Sequence, residues 1–155
     1  MRGQLQTVDE ILNFMLAGSA TMTLQAPSGT KHYTYKVKLA KSRDDDPANA
    51  PLRWFVNLLS GPDNTTDFTY IGMLENTQRR GDVMRFRLTR ASRLGSEAMP
   101  VVWFRRLIEA IVAEDPERLS RGAFLHEGRC GKCNRKLTVP ESIRTGIGPV
   151  CAGRK

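Results

Sequence analysis

Histidine is almost missing from this 155-residue chain, which carries only His32 and His126. General-base and nucleophilic catalysis rely most often on that side chain, so its scarcity argues against an enzyme. No glycine-rich phosphate cradle and no Ser-His-Asp order takes its place, and Gly61-Pro-Asp-Asn64 reads as a turn. Asp44-Asp45-Asp46 reads as a solvated loop, because adjacent carboxylates in an unanchored turn lack the fixed spacing of two-metal chemistry. No residue is assigned a catalytic role. Long apolar runs are also missing: nothing approaches the ~18 residues of a membrane span. The best candidate, near Val101, is interrupted by Arg105 and Arg106. Met1-Arg-Gly-Gln leads into no apolar stretch of signal length. These absences predict a soluble, cytoplasmic protein with no membrane partner.

Cysteine is scarce and unevenly placed, with all three copies, Cys130, Cys133 and Cys151, near the C-terminal end. An odd thiol count without a secretory leader argues against a disulfide framework. The Cys-x-x-Cys pair is flanked by Gly128, Gly131 and basic residues rather than by the strand and helix of a thioredoxin-like redox site. A metal knuckle fits better, since a tight turn through Gly131 and Lys132 lets two thiolates converge on one ion. Zinc takes four sulfur or nitrogen ligands in a closed tetrahedron. Cys130, Cys133 and Cys151 supply three, and His126 is the natural fourth, with water or a partner's side chain as alternatives. Such a closed shell is structural, having no position left for a reacting water. Between the ligands, Pro140 to Gly146 has a helix's punctuation, with Pro in the first turn and Gly at the left-handed cap. Gly148-Pro149 then turns the chain to deliver Cys151. A module this small would draw most of its stability from the metal.

The segment Cys130-Gly-Lys-Cys133, Leu137-Thr138, Pro140, Ser142-Ile143 and Gly146-Ile147-Gly148-Pro149-Val-Cys151 resembles the C-terminal zinc motif of an uncharacterised family of small bacteriophage and bacterial proteins. The stretch from Trp54 to Gly72 resembles N-terminal regions that accompany that motif. The resemblance implies a zinc-binding module, a phage or mobile-element origin and the cytoplasm of a bacterial host. It implies no reaction.

Charge points to a partner. The formal net charge is +8, of which +6 falls between Arg121 and Lys155. Arg129, Lys132, Arg135 and Lys136 surround the knuckle, and Arg144 follows it. A rigid turn carrying such cations suits the phosphate backbone of DNA or RNA. Lysine and arginine also solvate small metal modules, so the cluster alone does not decide the matter.

The first 118 residues read as an α+β domain, an antiparallel sheet of about five strands with a helix at each end, and residues 119–155 read as the zinc-knuckle module. Thr7-Val8-Asp9-Glu10 is a capping box opening a helix with Val8, Ile11, Leu12 and Met15 on one face. Alternation predicts strands over 20–26, 31–39, 52–59, 68–74 and 83–89. Pro100 opens a second helix with Val101, Phe104, Leu107, Ile108 and Ile111 aligned. Trp54, Phe55, Phe68, Tyr70 and Phe86 are expected mostly in the core. Lys36, Lys38, Arg85 and Arg87 are expected on the exposed strand face as a nucleic-acid contact surface. Two functions fit this pattern. One is a zinc-dependent nucleic-acid-binding accessory protein. The other is a phage-encoded interaction module that modulates or inhibits a host defence or nucleic-acid-processing enzyme.

Overall fold

Thr7 opens the first helix as the capping box requires. Its hydroxyl accepts from the Glu10 N–H at 3.1 Å, while the Thr7 N–H donates to the Glu10 carboxylate at 3.2 Å. The helix, α1 (Val8–Met15), follows a three-residue strand, β1 (Gly3–Leu5). The computed structural model describes residues 3–5, 7–27, 31–40, 52–62, 67–77, 83–120, 122–126, 128–133, 136–137 and 145–148.

The remaining elements are β2 (Ser19–Gln25), β3 (His32–Leu39), β4 (Leu52–Leu59), β5 (Phe68–Thr77), β6 (Val83–Arg87), α2 (Met99–Val112), α3 (Pro116–Ser120) and β7 (Ala123–His126). The five expected strands are present at their expected places, but the architecture differs. Among the described residues seven strands form one antiparallel sheet in the order β1-β7-β2-β3-β4-β5-β6, curled into a half-barrel with few helices. The expected five-stranded sheet with a helix at each end is therefore corrected. β1 and β7 span three and four residues, too short to show alternation, and they pair with each other across most of the chain, Gly3 opposite His126. The 119–155 stretch accordingly begins inside the sheet, because β7 lies between β1 and β2.

Alternation along the strands decides which face holds the core. Tyr35 and Val37 on β3, Trp54, Val56 and Leu58 on β4, Leu74 on β5, and Met84 and Phe86 on β6 are buried. Helix α2 covers this inner face with Val101, Phe104, Ile108 and Ile111. Phe104 meets Phe86 edge-on at 4.8 Å and Tyr35 at 5.2 Å. The buried Tyr35 hydroxyl donates to the Pro100 carbonyl at 2.6 Å, tying the sheet to the first turn of α2. Burial pushes the Tyr35 hydroxyl pKa well above its ordinary value, helped by Tyr33, so this donor keeps its proton. Helix α1 covers the β2 and β7 end, its Phe14 edge-on to Phe124 at 6.4 Å. Among the described residues no helix is long and apolar enough to cross a membrane.

Candidate metal centre and nucleic-acid interface

The knuckle is closed by backbone contacts. Arg129 bridges antiparallel to Lys136, and the Leu137 N–H donates to the Gly128 carbonyl at 2.8 Å, pinning the two ends of the turn. Within it Cys130 is buried at 1% exposure and Cys133 is exposed. The Cys130 sulfur accepts from the Lys132 N–H at 3.4 Å and from the Gly148 N–H at 3.2 Å. Burial pushes the Cys130 thiol up. The peptide N–H groups of Gly148, Cys133 and Lys132, with the Cys133 side chain, outweigh burial and hold it at about 7 against an ordinary 9. A sulfur ringed by peptide donors is an environment made for thiolate, the form that binds metal.

The cradle rests on α1. The Gly131 N–H donates to the Gly146 carbonyl at 2.8 Å, and the Ser19 N–H at the start of β2 donates to the Gly131 carbonyl at 2.7 Å. Both glycines lie flush against Phe14. A Cβ at Gly131 would stand 2.8 Å from the Phe14 ring, and one at Gly146 only 2.5 Å from it. Gly146 also has φ 77°, the left-handed conformation expected of it as a helix cap. Phe14 was not among the residues expected on the buried face of α1. Yet Ile11, Phe14 and Met15, at i, i+3 and i+4, are the buried residues of that helix. The helical spacing was there to be read.

His126 ends β7 and is completely buried on the inner face, its ring 5.6 Å from Phe14. Its Nδ1 accepts from the Gly128 N–H at 3.0 Å, so this lone pair faces the loop leading to Cys130. That hydrogen bond occupies the Nδ1 lone pair and leaves the ring proton on Nε2, so ligation through Nδ1 requires the Gly128 N–H to turn away from the ring. Cys130 and Cys133 come together. Among the described residues, however, no three His, Cys, Asp or Glu side chains are gathered into a metal cage. Cys151, the third expected thiolate, lies outside the described residues, as do Arg135 and Arg144. Gly148, whose N–H reaches the Cys130 sulfur, stands three residues before Cys151 in the sequence, within ~10 Å of chain. The donor set fits zinc at two thiols, and would be completed by Cys151 and His126.

Of the expected cations, Arg129, Lys132 and Lys136 are exposed on the knuckle. Lys36, Lys38, Arg85 and Arg87 share the outer face of the sheet, and there the structure adds a feature that sequence reasoning missed. Glu75, 4% exposed, accepts from Arg87 Nε at 2.7 Å and from Arg85 Nε and Nη2 at 3.3 and 3.2 Å, and forms a longer ion pair with Arg53 at 3.9 Å. Burial raises the Glu75 carboxyl, but the hydrogen bonds from Arg87 and Arg85 and their charges prevail and hold it below the ordinary carboxylate value. The three arginines keep about half of their side-chain surface exposed, 50%, 63% and 45% for Arg53, Arg85 and Arg87. The signal available was cross-strand spacing, which sets Arg53 and Arg85 directly opposite Glu75.

A concavity of about 570 Å³ is lined by Ile11 of α1, Trp103 and Leu107 of α2 and Phe124 of β7, with Arg106 and Arg118 beside them. Residues 121–154, the segment carrying the knuckle, match a family of unknown function (DUF6011). No curated protein and no solved structure matches the chain.

Proposed function

We propose that this chain is a zinc-dependent nucleic-acid-binding accessory protein encoded by a phage or mobile element. Its knuckle takes zinc on Cys130, Cys133, Cys151 and His126 and sets cations beside phosphates. The observation that carries the reading is the buried Cys130 sulfur, held toward thiolate by peptide donors from both ends of the module. Zinc there would act as a structural tie, while the residues doing the binding are those of the chain itself. Arg129, Lys132 and Lys136 stand exposed around the turn. The knuckle joins the sheet through Ser19, the residue paired with Lys38, so the nearest cation of the sheet face lies at the end of β3 beside the knuckle. The phage origin rests on the resemblance of the Cys130 to Cys151 motif.

The test is a salt series. Reduced protein carrying about one zinc per chain should shift DNA or RNA with an affinity that falls log-linearly with salt. Replacing Arg129, Lys132 and Lys136 by Glu should abolish the shift and leave the zinc in place. Protein devoid of zinc when purified reduced, or zinc-loaded protein with no shift at low salt, would reject the reading. The latter result, joined to a nuclease-resistant complex with a host protein, would favour an interaction module instead.

A further inference from the structure

The outer face of β3 to β6 carries a second kind of chemistry. Of the five aromatics on β4 to β6, Trp54 and Phe86 point into the core, while Phe55, Phe68 and Tyr70 lie on the opposite face. Cross-strand register sets them among cations: Lys38 opposite Phe55, Phe55 opposite Met73, and Met73 opposite Arg87. In the next row Lys36 stands opposite Asn57, and Asn57 opposite Tyr70. Phe55 is 41% exposed, far more than a core ring tolerates, and meets Tyr70 edge-on at 6.0 Å. Lys36 Nζ sits 5.7 Å over the Phe68 ring. Tyr70 is fixed by its hydroxyl, 3.0 Å from that of Thr89.

We propose that this face binds single-stranded nucleic acid, with bases stacking on Phe55 and its neighbours while Lys36, Lys38, Arg53 and Arg87 take the adjacent phosphates. The inference deepens the nucleic-acid reading and rests on it. Charge complementarity names the occupant. Arg53, Arg85 and Arg87 surround Glu75, and Lys36 and Lys38 follow on β3, so among these charged side chains five cations face one carboxylate and the face suits a polyanion. The rings name the strandedness. Aromatic side chains lying in a sheet surface reach the faces of unpaired bases, whereas a duplex hides those faces in its own stack. Glu75 fits the scheme as a positioning residue. By anchoring Arg85 and Arg87 it orders their forks along the edge of the platform.

The experiment uses the full zinc-loaded chain, an oligo(dT) and an oligo(rU) of about 15 nucleotides, and a duplex of the same length, followed by fluorescence anisotropy. Wild type should prefer the single strands. Phe55→Leu should lose about tenfold in single-strand affinity while keeping its zinc and its melting temperature. Phe55→Trp should keep the affinity, and its added emission should be quenched when oligo(dT) binds. Equal affinity for duplex and single strand, or single-strand binding indifferent to Phe55→Leu but abolished by charge reversal at Arg129, Lys132 and Lys136, would overturn the stacking face and leave the zinc–phosphate reading standing. No binding to any oligonucleotide would overturn both, and a protein partner for this face would follow. If Phe55→Leu proves unstable, the Phe55→Trp signal decides alone: emission unchanged by saturating oligonucleotide rejects the proposal.

Discussion

Along β3 and β4 a buried side chain follows an exposed one almost without interruption, and Tyr35, Val37, Trp54 and Val56 bring large apolar surfaces to a shared core. Between Gly128 and Gly148 the buried described residues are Gly128, Cys130, Gly131, Leu137 and Gly146, of which three have no side chain to bury. The sheet is thus held by surface removed from water and by ladder hydrogen bonds, at about 25 cal/mol per Å² for the apolar part. Among its described residues the knuckle has less of this reserve, with the side chains of Cys130 and Leu137 buried and Ile147 packed against the core. It is held by peptide groups around one sulfur and by two glycines lying against Phe14, a residue that belongs to the other region. The difference teaches that the knuckle is a surface feature whose order is borrowed, partly from α1 and, on our proposal, partly from a metal.

The largest effect that would test this contrast is removal of the metal. Chelation of the zinc-loaded, reduced protein, or Cys133→Ser, should forfeit a stabilisation on the order of 10 kcal/mol in the knuckle. Amide exchange should then lose protection over the described residues of 128–148 and keep it over β3 to β5. Simultaneous loss over both would show that the two regions are one cooperative unit and break the comparison. Next in size is Phe14→Ala, which removes a fully buried ring touching both regions and should cost about 3–5 kcal/mol in denaturant titrations. It should also speed zinc loss to a competing chelator. Leu74→Ala, on a distant strand, should lower global stability comparably and leave zinc retention as it is; equal effects of both variants on retention would erase the distinction.

The smallest effect concerns the outer face. Glu75 has its folded pKa lowered, so its contribution is fully present above the ordinary value and is lost as pH falls through the lower folded one. Wild type should therefore lose stability between about pH 5 and pH 3 by a margin that Glu75→Gln lacks. The margin is about 1 kcal/mol or less, because the partner arginines are half solvated. Thermal melts of the two proteins at both ends of that interval check it. Parallel pH dependence in the two would assign acid sensitivity to other carboxylates.

Much of this arrangement can be read from the chain, and the parts that cannot share a cause. β4 coincides with the expected 52–59 run because Leu52 to Leu59 is a short apolar stretch broken only by Arg53 and Asn57, and turn residues follow it. Helix α1 begins at its capping box because that signal is local, four residues long and chemically specific. β1 and β7 escaped because their evidence is their pairing, and Gly3 meets His126 with the whole sheet between them in sequence. The knuckle was legible as a spacing of cysteines. Its seat on Phe14 was not, since a glycine's flat contact leaves no mark in composition. The aromatics divide for a plain reason: strand parity sends Trp54 inward and Phe55 outward, and hydrophobicity alone treats them alike.

The place of β7 has a consequence for how the chain assembles. β2 has β3 on one side, formed from residues close by, but its other flank waits for residues 123–126, and β1 has no sheet partner until the same four residues arrive. During synthesis the meander β2 to β6 is therefore complete while one margin still carries unsatisfied peptide groups, open to any passing strand. Long-range closure of this kind is slow relative to local hairpins, and an unpaired margin is where chains stick to one another. A nascent chain of this protein is most vulnerable in the interval between β6 and β7, when α2 and α3 are being made, and insertion of Ala123–His126 ends that exposure in one step.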